Sequence, residues 1–386
     1  MSLWQPVAIL PNFELEGQTA IDVPHATFAS VEDPRVQEIN AAAPKHAELL
    51  GRWRDPFGEE CRPTLLLLSP NAPTGFNRME AVTSLRDILS ISVVPLARSR
   101  HRPGQYVGPL PYSNVFEFYP WAVAKELDGV VTSTPGVRGS HDLEKLNPQT
   151  APETGRQSRI GEHDLDRPMF NALLEHWRSV SRVRRKHAHA ADKVLRSLNM
   201  AYHASKLPAL QDARVFDDGR LVALWVSAFE ILAHPAVRDV NQWDVYDLLD
   251  SAEWRRAKNR RREFLIAGRK RPKRTRPCKV YRRLYEMRND FLHGNPVSRI
   301  SGLFGDTGII LHKAAAPLYR IALSAALRVR LDHQEPENLM EALKHRICVV
   351  EPFYAPHEEM EDAIVRALPP TGTVRKRRRP VRSRNV

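Results

Sequence analysis

The stretch Tyr281-Arg-Arg-Leu-Tyr-Glu-Met-Arg-Asn-Asp-Phe-Leu-His-Gly294 decides how this chain is read. Leu284, Met287 and Phe291 recur at helical spacing and mark one inward face. Gly294, Asn295 and Pro296 follow as a C-terminal stop. The pattern predicts a helix over 280–293 with His293 in its last turn, near the negative end of the helix dipole, where a cation is welcome. Asn289 and His293 are four residues apart and share a face, with Arg288 beside it. Arginine can grip a phosphate through its two-pronged guanidinium. Histidine can move a proton near neutral pH. Together they are a minimum kit for phosphodiester chemistry that needs no metal. Spacing alone selects little, because Arg182/His187, Arg196/His203 and Arg328/His333 come close to it in a chain with fifteen histidines. Setting singles out Arg288 and His293.

Outward from this helix the chain reads as helical from Gly161 on. Met169, Phe170, Leu173, Leu174, Trp177 and Val180 form an apolar stripe behind Arg167-Pro168. His187 to Leu210 carries a second stripe in Val194, Leu195, Leu198 and Tyr202. Leu221 to Ala233 is apolar nearly all round, which predicts the centre of a bundle; Asp217-Asp218-Gly219 predicts a turn before it and Pro235 a stop after it. Trp243–Trp254 and Ala314–Leu331 complete the set. Ahead of Gly161 the pattern is mixed. Val7–Leu10, Thr64–Leu68 and Ile88–Val94 read as strands, although the third also fits helical spacing. Residues 128–159, rich in Gly, Pro, Ser and Thr, predict a linker. The expected fold class is α+β: an N-terminal mixed α/β domain over 1–155, an all-α bundle over 160–335, a helical extension over 336–368 and a disordered basic tail over 369–386.

The formal net charge of +13 is unevenly placed. Arg255 to Arg283 holds fifteen Lys/Arg against one Glu, and the tail from Arg375 holds seven with no acid. The rest of the chain is net acidic. Two local basic patches fit a polyanion partner better than a uniform excess does. Pro272 and Pro277 predict that part of the first patch is a loop. Three isolated cysteines, Cys61, Cys278 and Cys348, fit neither a disulfide framework nor a zinc ribbon and suit a reducing cytoplasm. The N-terminus lacks the pattern of a signal peptide, and the longest apolar run is too short to span a bilayer, so no membrane is expected. No phosphate-binding glycine loop, dinucleotide fingerprint, zincin motif or serine-hydrolase elbow occurs, and no cofactor or metal is expected. His187 and His189, two apart, point to different helix faces and read as surface residues. Asp164 and Asp166 read as caps before Pro168. Asp244, Asp247 and Asp250 read as a solvated acidic edge meeting nearby arginines. Trp177, Trp225, Trp243 and Trp254 read as core.

The segment YRRLYEMRNDFLHG resembles the signature of the HEPN superfamily, and LVALWVSAFEILAHP (221–235) resembles the core helix that precedes it. The similarity is to the Apea-like HEPN group, where a Trp/Glu-bearing helix comes before an Arg-Asn-x-x-x-His-Gly ending, and it covers residues 165–332. The resemblance implies a helical bundle that pairs as a homodimer. It also implies a metal-independent endoribonuclease of the kind found in toxin and antiviral defence roles. Position by position, Arg288 and His293 match the motif arginine and histidine, and Asn289 the polar residue after the arginine. The ribose 2′-hydroxyl would attack the adjacent phosphorus, His293 would shuttle the proton, and Arg288 would stabilise the charged transition state. Asn289 would orient substrate or histidine. Glu230, on the preceding helix, is placed either to hold Arg288 or to be solvated. Arg274, Arg276, Lys279, Arg282 and Arg283 are candidates to guide the RNA backbone; the same basic run could instead dock DNA or an acidic protein. The first 155 residues are assigned to sensing, substrate capture or contact with a regulatory protein or activator. The competing reading is a catalytically silent bundle acting as a nucleic-acid-binding adaptor.

Overall fold

The computed structural model of the protein describes residues 4–16, 19–54, 60–73, 79–101, 111–123, 130–132, 160–182, 187–207, 215–266, 272–297, 309–329 and 356–368. The fold is mixed α+β, with an antiparallel sheet set against a bundle of helices.

The sheet comes from the first part of the chain. Its strands are β1 (Gln5–Leu10), β2 (Ala20–Val23), β3 (Ala26–Ala29), β4 (Thr64–Leu68), β5 (Tyr119–Val123) and β6 (Val130–Thr132), in the order β2-β3-β4-β1-β5-β6. β1 pairs with β4 in the register Ala8↔Leu66 and Ile9↔Leu65, with an irregularity between Pro6 and Ala8. The unbroken leucine run of β4 makes sense because both faces are covered, and side chains alternate between faces. Leu66 and Leu68 join Ala8, Leu10 and Phe28 in the core shared with the bundle. Leu65 and Leu67 join Ile9, Trp53 and Trp121 in a second core on the other face. Helices α1 (Pro34–Ala42) and α2 (Pro44–Leu50) supply Val36, Ile39, Leu49 and Leu50 to that second core. Val7–Leu10 and Thr64–Leu68 are therefore strands, as their sequences predict.

Ile88–Val94 is not a strand. It lies inside α3 (Met79–Arg100), a helix buried along most of its length. The alternation of Ser90 and Ser92 with apolar residues mimics a strand only because those serines are also buried. Ser92 Oγ donates to the Ile88 carbonyl (2.8 Å), and Ser90 and Ser113 bond through their hydroxyls (3.1 Å). A hydroxyl satisfied on its own helix can enter a core, so the polar positions misreport the period.

The remaining helices are α4 (Arg167–Arg182), α5 (Ala188–Ala191), α6 (Lys193–Ala204), α7 (Val215–Ala233), α8 (Gln242–Ser251), α9 (Ala257–Arg260), α10 (Arg276–Leu292), α11 (Leu311–Leu327) and α12 (Pro356–Ala367). Asp192 divides the helix expected over 187–210; its side chain accepts from Leu195 N (3.0 Å) and caps α6. α7 starts earlier than expected and runs straight through Asp217-Asp218-Gly219, which is helix and not turn.

α3 packs against α4, α6, α11 and α12, so the N-terminal segment contributes a helix to the bundle. Sheet and bundle residues belong to one continuous apolar core, and a boundary near residue 155 does not separate two cores. Buried polar groups bind the same elements. Asp87 of α3 is held by Arg86 (2.7 Å) and Asn199 of α6 (2.9 Å), and Arg86 lies 3.8 Å over the Tyr202 ring. Asp166 caps α4 by accepting from Met169 N (3.3 Å) and is also ion-paired with Arg320 of α11 at 2.7 Å, both 1% exposed. Arg320 Nη1 donates to His357 Nδ1 of α12 (3.1 Å). A guanidinium only donates, so the His357 ring proton sits on Nε2, facing the Glu253 carbonyl at 2.9 Å. Trp177 and Trp225 are fully buried and Trp254 nearly so, in line with a core role, while Trp243 is half-buried.

The expected linker falls largely outside the described residues, apart from β6. The basic tail, Cys348 and all of 336–355 lie outside them as well. No helix among the described residues is long and apolar enough to cross a membrane.

Candidate active site

α10 carries the Arg-Asn-x-x-x-His sequence. It begins at Arg276, and Pro277 sits in its first turn, where a missing N–H costs nothing and a fixed φ favours the helix. Pro277 therefore opens the helix, and the described residues of the basic run before it, 261–266 and 272–275, are non-helical, as expected for part of that run. Cys278, Tyr281, Leu284 and Met287 form the buried face. Tyr281 stands against Phe229 of α7 (5.3 Å) and Tyr246 of α8 (5.8 Å), and Phe229 against Tyr319 of α11 (5.5 Å). This aromatic ladder fixes the rotation of α10 about its axis and turns Arg288, Asn289 and His293 away from the core. Cys278 is buried, and burial pushes its thiol up to about 12.

The helix ends as the sequence indicates. His293 is the C-cap, Gly294 takes φ +70°, and Asn295 N donates to the Asp290 carbonyl (2.9 Å) while Gly294 N reaches the Phe291 carbonyl (3.4 Å). That pair of bonds is a Schellman closure, and it sets the backbone from which the imidazole projects. His293 is exposed, and Arg288 and Asn289 are half-buried.

Arg288 is steered from three sides. Its Nη1 donates to Asn289 Oδ1 (3.1 Å), its guanidinium lies 5.7 Å from the centre of the Tyr285 ring, and its Nη2 faces Glu230 Oε2 of α7 at 3.8 Å. Glu230 is therefore beside Arg288 and not free in solvent. Burial raises its carboxyl above the ordinary range, with Arg288 acting in the opposite direction. Asn289 is engaged by Arg288. No hydrogen bond or ion pair among the described residues joins Arg288 to His293 within one chain. The sequence reading did not single out Tyr285, although its place three residues before Arg288 is the signal for a shared face.

Gly219 of α7 explains how the last turn of α10 is seated. A methyl group added there would lie 2.4 Å from Phe291 Cδ2. Only hydrogen fits between the two helices, and that is why a glycine interrupts an otherwise strong helix sequence.

The structure corrects the candidate RNA contacts. Arg274 is mostly buried and donates to Asp247 and Asp250 (both 2.8 Å); Asp250 is itself buried, so the acidic edge is partly interior. Arg276 is 1% exposed and reaches Glu263 (3.2 Å), with burial pushing its pKa down. Neither guanidinium is free to track a polymer. Arg282 and Arg283 both bond Glu286 on their own helix, at 2.8 and 3.3 Å, and remain partly exposed; Lys279 is half-buried. Arg256 meets Asp362 of α12 (2.8 Å), and Glu361 accepts from the backbone N–H groups of Arg255 and Arg256 (2.6 and 2.8 Å). Much of the basic run is thus neutralised by carboxylates distant in sequence. Among the described residues its exposed cations are Lys258, Arg260, Arg261, Lys273 and Arg262, the last facing Asp250 at 3.4 Å, and none was singled out from sequence. His187 is exposed beside Glu80 (2.9 Å), whereas His189 is half-buried against Trp177, where burial lowers its pKa. No group of three His, Cys, Asp or Glu among the described residues is arranged to hold a metal ion.

No family model matches the chain, and no curated protein or solved structure shows significant similarity to it.

Proposed function

We propose that this chain is a HEPN-type endoribonuclease that cuts RNA without a metal, with Arg288, Asn289 and His293 at its catalytic centre. One observation supports the reading most: the motif helix ends at an exposed histidine on a locked cap, next to an arginine held in place by Glu230 and Tyr285. His293 takes the proton of the ribose 2′-hydroxyl as its oxygen bonds to phosphorus. The 5′-oxygen leaves with a proton, giving a 2′,3′-cyclic phosphate and a 5′-hydroxyl. Arg288 stabilises the pentavalent phosphorane through its fork. By the same resemblance, the site is composite, with two copies meeting over one ribose–phosphate link. A toxin or defence role fits such an activity and rests on the same resemblance.

The test is cleavage of total RNA with chelator present. Cyclic-phosphate ends are expected. His293→Ala and Arg288→Ala should each lower the rate about 100-fold or more, with an unchanged circular dichroism spectrum. Equal cutting by both variants would falsify the assignment. The inward lean of Arg288 toward Glu230 and Asn289 favours the second reading, a silent adaptor bundle. In that case wild type shows no cleavage but retains salt-sensitive RNA binding.

A further inference from the structure

A second site is built where α3, α11 and α12 converge. A cavity of about 250 Å³ is lined by Arg98 and His101 of the N-terminal segment, Lys313 of α11 and Arg366 of α12, with apolar residues between them. None of its lining residues carries a carboxylate. Arg98 is only 5% exposed. Its Nη2 donates to the Ser205 carbonyl (3.2 Å) and its guanidinium lies 5.0 Å from the centre of the Tyr112 ring. Its Nε and Nη1 are buried without an acceptor, and His101 Nδ1 is buried without a hydrogen-bond partner. Burial pushes Arg98 down to about 10, and burial together with Arg98 lowers Lys313. Among the described residues, Asp218 of α7 faces His312 Nδ1 at 3.2 Å and Glu359 of α12 is paired with Arg100 at 2.7 Å; neither lines the cavity. Arg366 donates to the Ser99 carbonyl and lines the same cavity.

A buried guanidinium with unmade hydrogen bonds and like-charged neighbours is costly. An anion removes that cost. The first turn of α11 lines the cavity through Ile310, Lys313 and Ala314, and the N–H groups of Lys313 and Ala314 donate to the Ile310 carbonyl (3.1 and 3.2 Å), so side chains and not backbone groups supply the attraction. We propose that this cavity binds a small phosphorylated ligand, gripped by Arg98, Lys313 and Arg366. The volume lies just below that of pockets for drug-sized molecules, roughly 300–1,000 Å³, and suits one or two phosphate groups with a compact attachment. The ligand would join three segments of the chain that are far apart in sequence. It shares no lining residue with the Arg288–His293 helix end and does not depend on the ribonuclease assignment.

Isothermal titration of the full chain with inorganic phosphate and, separately, with ADP, at constant ionic strength, tests the proposal. Saturable binding of at least one is expected, and the tighter of the two indicates whether the ligand is a simple phosphate or a nucleotide. Lys313→Gln and Arg366→Gln, at the more accessible end of the cluster, should each weaken binding about 10-fold, with folding checked by circular dichroism. Absence of saturable binding for both probes overturns the site, and so does equal affinity in wild type and both variants.

Discussion

Gly294 is where one residue controls the candidate site. Its φ of +70° lies in the left-handed region, and nothing lies within 4 Å of where a methyl group would sit, so any penalty for a larger side chain is purely conformational. Gly294→Ala should cost about 1 kcal/mol of stability in urea denaturation, and Gly294→Asn less, because asparagine tolerates that conformation. A loss well above this in the alanine variant would mean that the turn is held by contacts beyond its backbone geometry. The cap was legible in sequence, since glycine after an apolar-periodic run has a local cause. The fates of Arg274 and Arg276 were not legible. Their charges are countable, but Asp247, Asp250 and Glu263 claim them through space.

At the scale of the element, α7 and α10 show how a site is seated by packing. Gly219 makes room for Phe291, two residues before His293. Gly219→Ala gains up to about 1 kcal/mol of helix propensity but forces the Phe291 ring to move, and overpacking of this kind costs about 1–3 kcal/mol. We expect net destabilisation in a urea titration, together with a larger fall in any RNA cleavage than stability alone explains. A stabilised variant with full activity would show that α10 does not depend on that contact. α3 makes the complementary point. Its buried serines find partners, Ser92 on the helix itself and Ser90 on Ser113, and alternation therefore pointed to the wrong element. The basic run before α10 is likewise part scaffold, because Glu358, Glu361 and Asp362 of α12 engage Arg255 and Arg256.

At the scale of the whole molecule, the sheet's second core carries an acid-sensitive group. His46 of α2 is fully buried, bonds Asn40 Oδ1 through Nδ1 (2.7 Å) and leaves Nε2 without a partner. Burial lowers its pKa from 6.5 to about 4. The folded state therefore resists a proton that the unfolded chain accepts, and stability falls as pH drops from about 6.5 to about 4. The loss attributable to this residue is on the order of 3 kcal/mol. Denaturation midpoints measured between pH 7 and pH 4 should show it, with a shallower fall in His46→Gln. Parallel slopes for the two proteins would remove His46 as the cause. The shared core and the Asp166–Arg320–His357 chain join α4, α11 and α12, so the first part of the molecule and the bundle should unfold together.

Local chemistry determined much of this protein from sequence alone. The α10 stop at Gly294, the leucine strand β4, the apolar α7 and the relation of Arg288, Asn289 and His293 on one helix all follow from periodicity and backbone preference over a few residues. Tertiary structure alone decided which charges are spent inside, that α3 belongs with the bundle, and that Arg98, Lys313 and Arg366 meet around one cavity. These outcomes depend on Coulomb attraction, burial and steric fit between segments up to hundreds of residues apart, and a sequence window carries no distance information of that kind.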